Sequence, residues 1–211
     1  SYIFNEIDNI TNRKEKFFLK WIFTSINPRL ASKLAAYRVG KGKSNLTSGI
    51  LYAPSFQSEV NVLVSFESKL KSLSKLNIEN SKFLISTQSS TDLDNVKTNS
   101  IDYIFIDPPF GSNIMYSELN LIWESWLRIF TDNSSEAIIN NKRGKDNQNY
   151  KDLLTECFKE FFRILKPNRW ITVEFHNSKA EIWNLIRHSI ENSGFVISQV
   201  AILDKKQGSF K

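Results

Sequence analysis

Cysteine occurs once, at Cys157, so no disulfide can close within the chain, and a reducing cytoplasmic compartment is expected. Histidine occurs only twice and falls into no ligand spacing with the cysteine, so no structural zinc site is expected. No apolar run approaches the roughly 18 residues of a membrane span, and no signal peptide opens the chain, so neither a membrane partner nor export is expected. Glycine is scarce, with seven in all, and none stands in a glycine-rich turn after a strand. Gly40-Lys41-Gly42 lacks the preceding strand and the residues of a P-loop or a dinucleotide fingerprint. It reads as a solvated basic loop, with a phosphate contact as the alternative. The chain begins with serine rather than methionine, from which a piece of a longer protein is expected.

What remains is a chain of 211 residues, 41% apolar and 13% aromatic. That is enough to bury a core, and too hydrophobic for disorder. The net charge of +6 favours an anionic partner such as nucleic acid.

Helical and strand periodicities alternate along the chain. Helix is predicted over Glu15–Val39 with an interruption at Pro28, and Phe17, Phe18, Trp21 and Ile22 are expected in its core. Further helices are predicted over Val60–Leu76, Ser117–Phe130, Tyr150–Leu165 and Ala180–Asn192, the last ending at Gly194. Short buried strands are predicted over Lys82–Thr87, Tyr103–Ile106, Trp170–Phe175 and Phe195–Leu203, with Asn168 forming a left-handed turn before the third of these. The fold class is therefore α/β. An N-terminal helical segment and irregular loop over residues 1–58 would precede an α/β domain over 59–211.

The most informative stretch is Tyr103–Ile106, followed by Asp107-Pro108-Pro109-Phe110 and Gly111-Ser112-Asn113. An apolar run buried on both faces suits a parallel sheet, and two prolines end it because they cannot donate to the ladder. A carboxylate, a stiff backbone and an aromatic ring are thus presented at the C-terminal edge of a sheet, where ligands bind. A carboxylate and a backbone carbonyl are both acceptors, so together they can hold the two N–H bonds of a planar amino group. An aromatic ring can stack on a base for about 1–3 kcal/mol. The plainer alternative is that the prolines end a strand and Asp107 caps the next segment.

Asp107-Pro108-Pro109-Phe110 resembles the amine-binding motif of the DNA amino-methyltransferases, which methylate N6 of adenine or N4 of cytosine. The helix, Lys166-Pro167 turn and strand further on resemble the same family, and the likeness runs from near Ser48 onward. It implies a three-layer Rossmann-like sheet, double-stranded DNA with a flipped base as partner, and S-adenosylmethionine as methyl donor. Asp107 and the carbonyl after it would hold the exocyclic amine, with Pro109 stiffening the turn and Phe110 stacking on the base. An aspartate in first place leans towards adenine.

Asn113 to Tyr116 would line the pocket mouth. His176 would contact substrate, or else belong to a polar cluster capping the next helix. Thr87 and Asp92, with Asp107, would lie near the adenosine part of the cofactor. The polar segment Thr131–Asn149, with Lys142, Arg143 and Lys145, would contact the DNA backbone or remain solvated. Cys157 reads as a core position, not a nucleophile.

The strands found resemble the third to sixth of the family's seven. The first two, with their glycine-rich cofactor turn, are not seen, so the sheet is expected to be partial. The missing portion would lie in cis or in a second chain, and an unpaired edge would invite oligomerisation. An RNA amino-methyltransferase and a non-enzymatic DNA-binding or assembly subunit are the alternatives.

Overall fold

The computed structural model describes the backbone of residues 2–30, 35–36, 45–46, 61–75 and 82–202, and the side chains of those outside 27–60. Among these residues the chain is mixed α/β, with six α-helices, a two-stranded parallel sheet and a short antiparallel pair, β1 (Ala35–Ala36) with β2 (Asn45–Leu46). No described helix is long and apolar enough to cross a membrane. The chain divides into two compact units, Ser1–Ile85 with Met115–Ser134, and Ser86–Ile114 with Ser135–Lys211.

The first unit holds α1 (Tyr2–Asp8), α2 (Arg13–Leu30), α3 (Val62–Leu73) and α4 (Tyr116–Leu127). Its core joins Phe4 and Ile7 of α1 to Phe23 of α2, with Phe66 and Trp126 packed against them. The rings of Phe4, Phe23 and Trp126 meet at 5.1–5.8 Å, a tilted arrangement that suits their quadrupoles. The expected aromatic stripe of α2 is only partly core. Ile22 and Phe23 are buried, whereas Phe17, Phe18 and Trp21 are exposed, because the face that meets α1 carries Phe23. Pro28 does not interrupt α2, which runs on to Leu30. A proline lacks the N–H that would bond the carbonyl four residues back. That carbonyl, of Thr24, accepts instead from Trp123 Nε1 at 3.1 Å, so the proline is tolerated in the last turns.

The second unit is built on β3 (Ile101–Ile106) and β4 (Leu165–Val173), with α5 (Asn147–Ile164) connecting into β4 and α6 (Ala180–Asn192) after it. The strands pair in parallel, Tyr103 opposite Trp170 and Ile106 opposite Val173. Between Leu165 and Trp170 the register shifts, and Asn168 takes the predicted left-handed conformation there at φ 58°. Lys166 and Arg169, in the same interruption, both reach Asp102.

Tyr150, Leu154 and Phe158 recur every four residues on α5 and pack with Ile182 and Ile186 of α6. Burying a side chain such as Phe158 contributes about 1.5–3 kcal/mol. Ile104, Ile164, Leu165 and Leu93 form a second cluster. Gly194 ends α6 at φ +98°, as expected, with the Phe162 ring so close that a Cβ would lie 3.2 Å from it.

Two strand expectations do not hold, and one holds by half. Lys82–Thr87 and residues 195–202 have no strand pairing, and Phe83, Leu84, Ile85, Val196, Val200 and Ile202 are exposed. A strand requires a hydrogen-bonded neighbour, and among the described residues neither segment has one. For β3 the sequence predicts burial on both faces, but the strand alternates. Ile104 and Ile106 face the helices, while Tyr103 and Phe105 are 54% and 58% exposed, beside Trp170 at 64%. With only two strands, the far face meets no described layer.

Candidate functional site

β3 ends at Ile106, whose carbonyl accepts from Glu174 N at 2.9 Å, and Asp107-Pro108-Pro109-Phe110 leaves the sheet at its C-terminal edge. Asp107 is exposed and Pro108 is buried. The next two carbonyls are both held. That of Pro109 accepts from the phenol of Tyr150, and that of Phe110 from Nδ2 of Asn177 at 2.9 Å. Gly111 then turns at φ +72°, and its carbonyl accepts from Ile139 N at 3.2 Å. A Cβ at Gly111 would stand in ordinary contact with Ile139 and Ile182, at 3.4 Å from each, so it is the left-handed conformation rather than the space that calls for glycine. Among the described residues no donor reaches the Asp107 carboxylate or the Pro108 carbonyl. The two acceptors expected to hold an amine are therefore the two that the loop leaves open.

The Phe110 ring meets Phe175 edge-on at 5.6 Å and His176 at 6.5 Å. His176 is thus brought to the motif. Its neighbour Asn177 is more deeply engaged, because besides bonding Phe110 it accepts from Lys179 N at 2.8 Å and from Trp183 Nε1 at 2.8 Å. Of the two roles expected for this polar stretch, helix capping is not met by a side chain: α6 starts after Lys179 with no side-chain cap, and the Asn177 side-chain oxygen accepts only from the N–H of Lys179 itself.

A cavity of about 390 Å³ lies against Asp107, Pro108 and Pro109, near the lower end of ligand-pocket sizes. Leu153, Leu154, Cys157, Phe158 and Phe161 form its apolar side, and Ser89, Ser90 and Thr91 supply hydroxyls. The expected cofactor residues Thr87 and Asp92 flank that wall without lining it. Asp92 instead accepts from Asp94 N at 3.1 Å, a local turn that occupies its carboxylate. Cys157 lines the cavity, and burial pushes its thiol up to about 11. It is protonated at neutral pH, and it is half-buried on the cavity wall rather than in the core as expected.

Arg163 and Glu160 of α5 hold the segment that carries the hydroxyl wall. Arg163 donates to the carbonyls of Leu93 and Val96 at 2.9 and 3.0 Å, and Glu160 accepts from Leu93 N at 2.9 Å. The two side chains also pair with each other at 2.7 Å.

The basic residues expected at the DNA backbone divide. Residues 140–145 form a tight hairpin, with Asn140 and Lys145 exchanging backbone bonds around a 3₁₀ turn at Asn141–Arg143. Lys142 is exposed on that turn. Arg143 faces Glu136 at 3.9 Å. Lys145 departs from the expectation. It is buried, with its ammonium donating to the Glu136 carbonyl at 2.8 Å, so it holds the hairpin rather than a phosphate. Asn113 is exposed just beyond Gly111, while Tyr116 begins α4 in the other unit.

Sequence reasoning passes over Tyr150, Asn177, Glu160 and Arg163. A signal exists for Tyr150, since a hydroxyl on an otherwise apolar helical stripe must find a partner once buried. The bond of Asn177 to Phe110 and those of Glu160 and Arg163 to Leu93 and Val96 carry none, because these partners lie 67 or more residues away. Comparison of the chain with protein-family models, with curated proteins and with solved structures returns no match.

Proposed function

We propose that this chain is the motif-bearing part of a DNA methyltransferase that methylates the exocyclic amine of a flipped base, adenine N6 in preference. The observation that carries the reading is the pair of open acceptors at Asp107 and Pro108, on a loop whose next two carbonyls are pinned. An amine donating both N–H bonds to these acceptors is drawn out of conjugation with its ring, which directs the nitrogen lone pair outward. Phe110 would offer the base a face, and Asp107 would accept the proton lost when the new N–C bond forms. When bound, S-adenosylmethionine supplies the methyl group, which leaves its sulfonium sulfur as a neutral thioether.

The cavity beside Asp107, with apolar walls and a hydroxyl edge, suits the adenosine part of that cofactor. No described residues suit its charged amino-acid end. On this reading β3 and β4 belong to a three-layer Rossmann-like sheet, completed elsewhere in the protein or by a second chain. The exposed face of Tyr103, Phe105 and Trp170 fits such an addition. The lack of a glycine-rich turn also favours a second reading, an assembly or DNA-binding subunit that keeps the motif without turnover.

Methyl transfer from labelled cofactor to duplex DNA tests both. The complete protein should transfer label, whereas the chain of 211 residues alone should neither transfer label nor bind the cofactor tightly in calorimetry, because a partial pocket still bears the entropy loss of association. Low-micromolar binding by the chain alone would place a whole cofactor site within these residues. RNA in place of DNA as the better acceptor would move the substrate class. In the active protein, Phe110→Ala should lower kcat/KM by about 5- to 150-fold, equivalent to about 1–3 kcal/mol of stacking. Phe110→Tyr keeps the π face and should stay close to wild type. Equal losses in the two variants would remove stacking as the explanation.

A further inference from the structure

We propose that Tyr150 is a positioning residue for the amine-holding loop, working as one jaw of a clamp whose other jaw is Asn177. The inference rests on the proposed amine-binding role of Asp107–Phe110.

Tyr150 is wholly buried on the α5 stripe with Leu154 and Phe158, and its phenol reaches back 41 residues to donate to the Pro109 carbonyl. Asn177, also buried, donates to the Phe110 carbonyl at 2.9 Å and is itself fixed by Lys179 N and Trp183 Nε1. Two consecutive peptide planes, those after Pro109 and after Phe110, are thereby held from the α5 side and from the loop before α6. Upstream, Pro108 is confined to extended conformations because a proline comes next, and the ring of Pro109 fixes its own φ. The direction of the Pro108 carbonyl and the placement of the Phe110 ring are what these restraints leave determined. Both are the features proposed to meet the base. Small misplacements of such groups are costly, on the order of 10²-fold in rate for about 1 Å.

Tyr150→Phe removes the hydroxyl and leaves the ring in the core, and it can be read in two ways. The first needs no activity. In the chain itself, the Ile139 amide, which donates to the Gly111 carbonyl, should exchange with solvent roughly tenfold faster in the variant, about the worth of one lost hydrogen bond. The Asn177 side-chain amide resonances should shift, while the amides of Leu154 to Phe158 should keep their protection.

The second readout uses the complete protein. There kcat should fall tenfold or more with KM for DNA nearly unchanged, since a loosened loop still binds duplex but presents the amine poorly. Ile186→Val, a similarly mild change in the same core, should leave kcat per folded molecule at the wild-type value.

Unchanged Ile139 exchange overturns the clamp whatever the kinetics, and so does a wild-type kcat in Tyr150→Phe when the wild type methylates. A wild-type protein that transfers no methyl group sinks the proposed methyltransferase function, and the exchange measurement then decides the clamp by itself.

Discussion

Asp107→Ala is expected to abolish methyl transfer almost completely, by at least about 10²–10³-fold in kcat, the range seen when one preorganised hydrogen-bonding group is removed at a reacting centre. Its folding should hardly change. The carboxylate is exposed and receives no hydrogen bond from a described residue, and substitutions at such positions stay within about 0.5 kcal/mol. Thermal unfolding and turnover measured on the same preparation therefore separate a site residue from a structural one. Asp107→Asn keeps one acceptor oxygen and loses the charge. If acceptance of the amine hydrogen bond is the main contribution, this variant should lie between Ala and wild type. Near-wild-type methylation by Asp107→Ala would end the assigned role, and a large fall in unfolding temperature would show that the carboxylate supports the fold instead.

The motif is legible in the sequence because its requirements are local. A short apolar run, two prolines and a glycine dictate a strand end and a turn from their own backbone limits, and the chain turns there with Gly111 at φ +72°. Five of the six described α-helices are legible for the same reason, since their periodicity lies within one element, whereas α1 (Tyr2–Asp8) spans too few residues to show one. Asn168 and Gly194 carry the composition of left-handed positions, and both adopt that conformation.

Whatever depends on a neighbour is not legible in this way. Lys82–Thr87 and Phe195–Leu203 have the composition of strands, but strand formation needs a partner strand that composition does not supply. Thr87 and Asp92 are the ends of a polar cluster, whereas it is residues between them that reach the cavity. Lys145 has the look of an exposed cation because its charge is visible in sequence and the Glu136 carbonyl that captures it is not.

The same non-local logic gives the cavity wall a dependence on pH. The Arg163 guanidinium beside Glu160 holds that carboxyl below its ordinary value of 4.5, helped by the backbone N–H of Leu93. A carboxyl whose pKa is lower in the folded state binds its proton more readily when unfolded. Its stabilising effect is therefore complete above the unfolded value and is lost as pH falls through the lower folded one. Arg163 is shifted upward by the same pair and stays charged throughout, so the transition belongs to the carboxyl. Between neutrality and about pH 5, the segment from Leu93 to Ser100 should stay docked. Further acidification should release it, and the protection of the Leu93, Asn99 and Ser100 amides, taken relative to the intrinsic exchange rate at each pH, should fall by roughly tenfold or more, since Leu93 N bonds Glu160 and the other two bond the end of α5.

Glu160→Gln provides the discriminating control. It should show lower protection at Leu93 already at neutral pH and little further change in that protection between about pH 5 and 3. Asp102 is also held below its ordinary value, by Lys166, and would contribute to any acid transition of the sheet. Asp102→Asn should therefore leave the exchange step at Leu93 in place while Glu160→Gln removes it. A step at Leu93 that survives Glu160→Gln would assign the acid sensitivity to some other carboxyl and dissolve the link between the ion pair and the cavity wall.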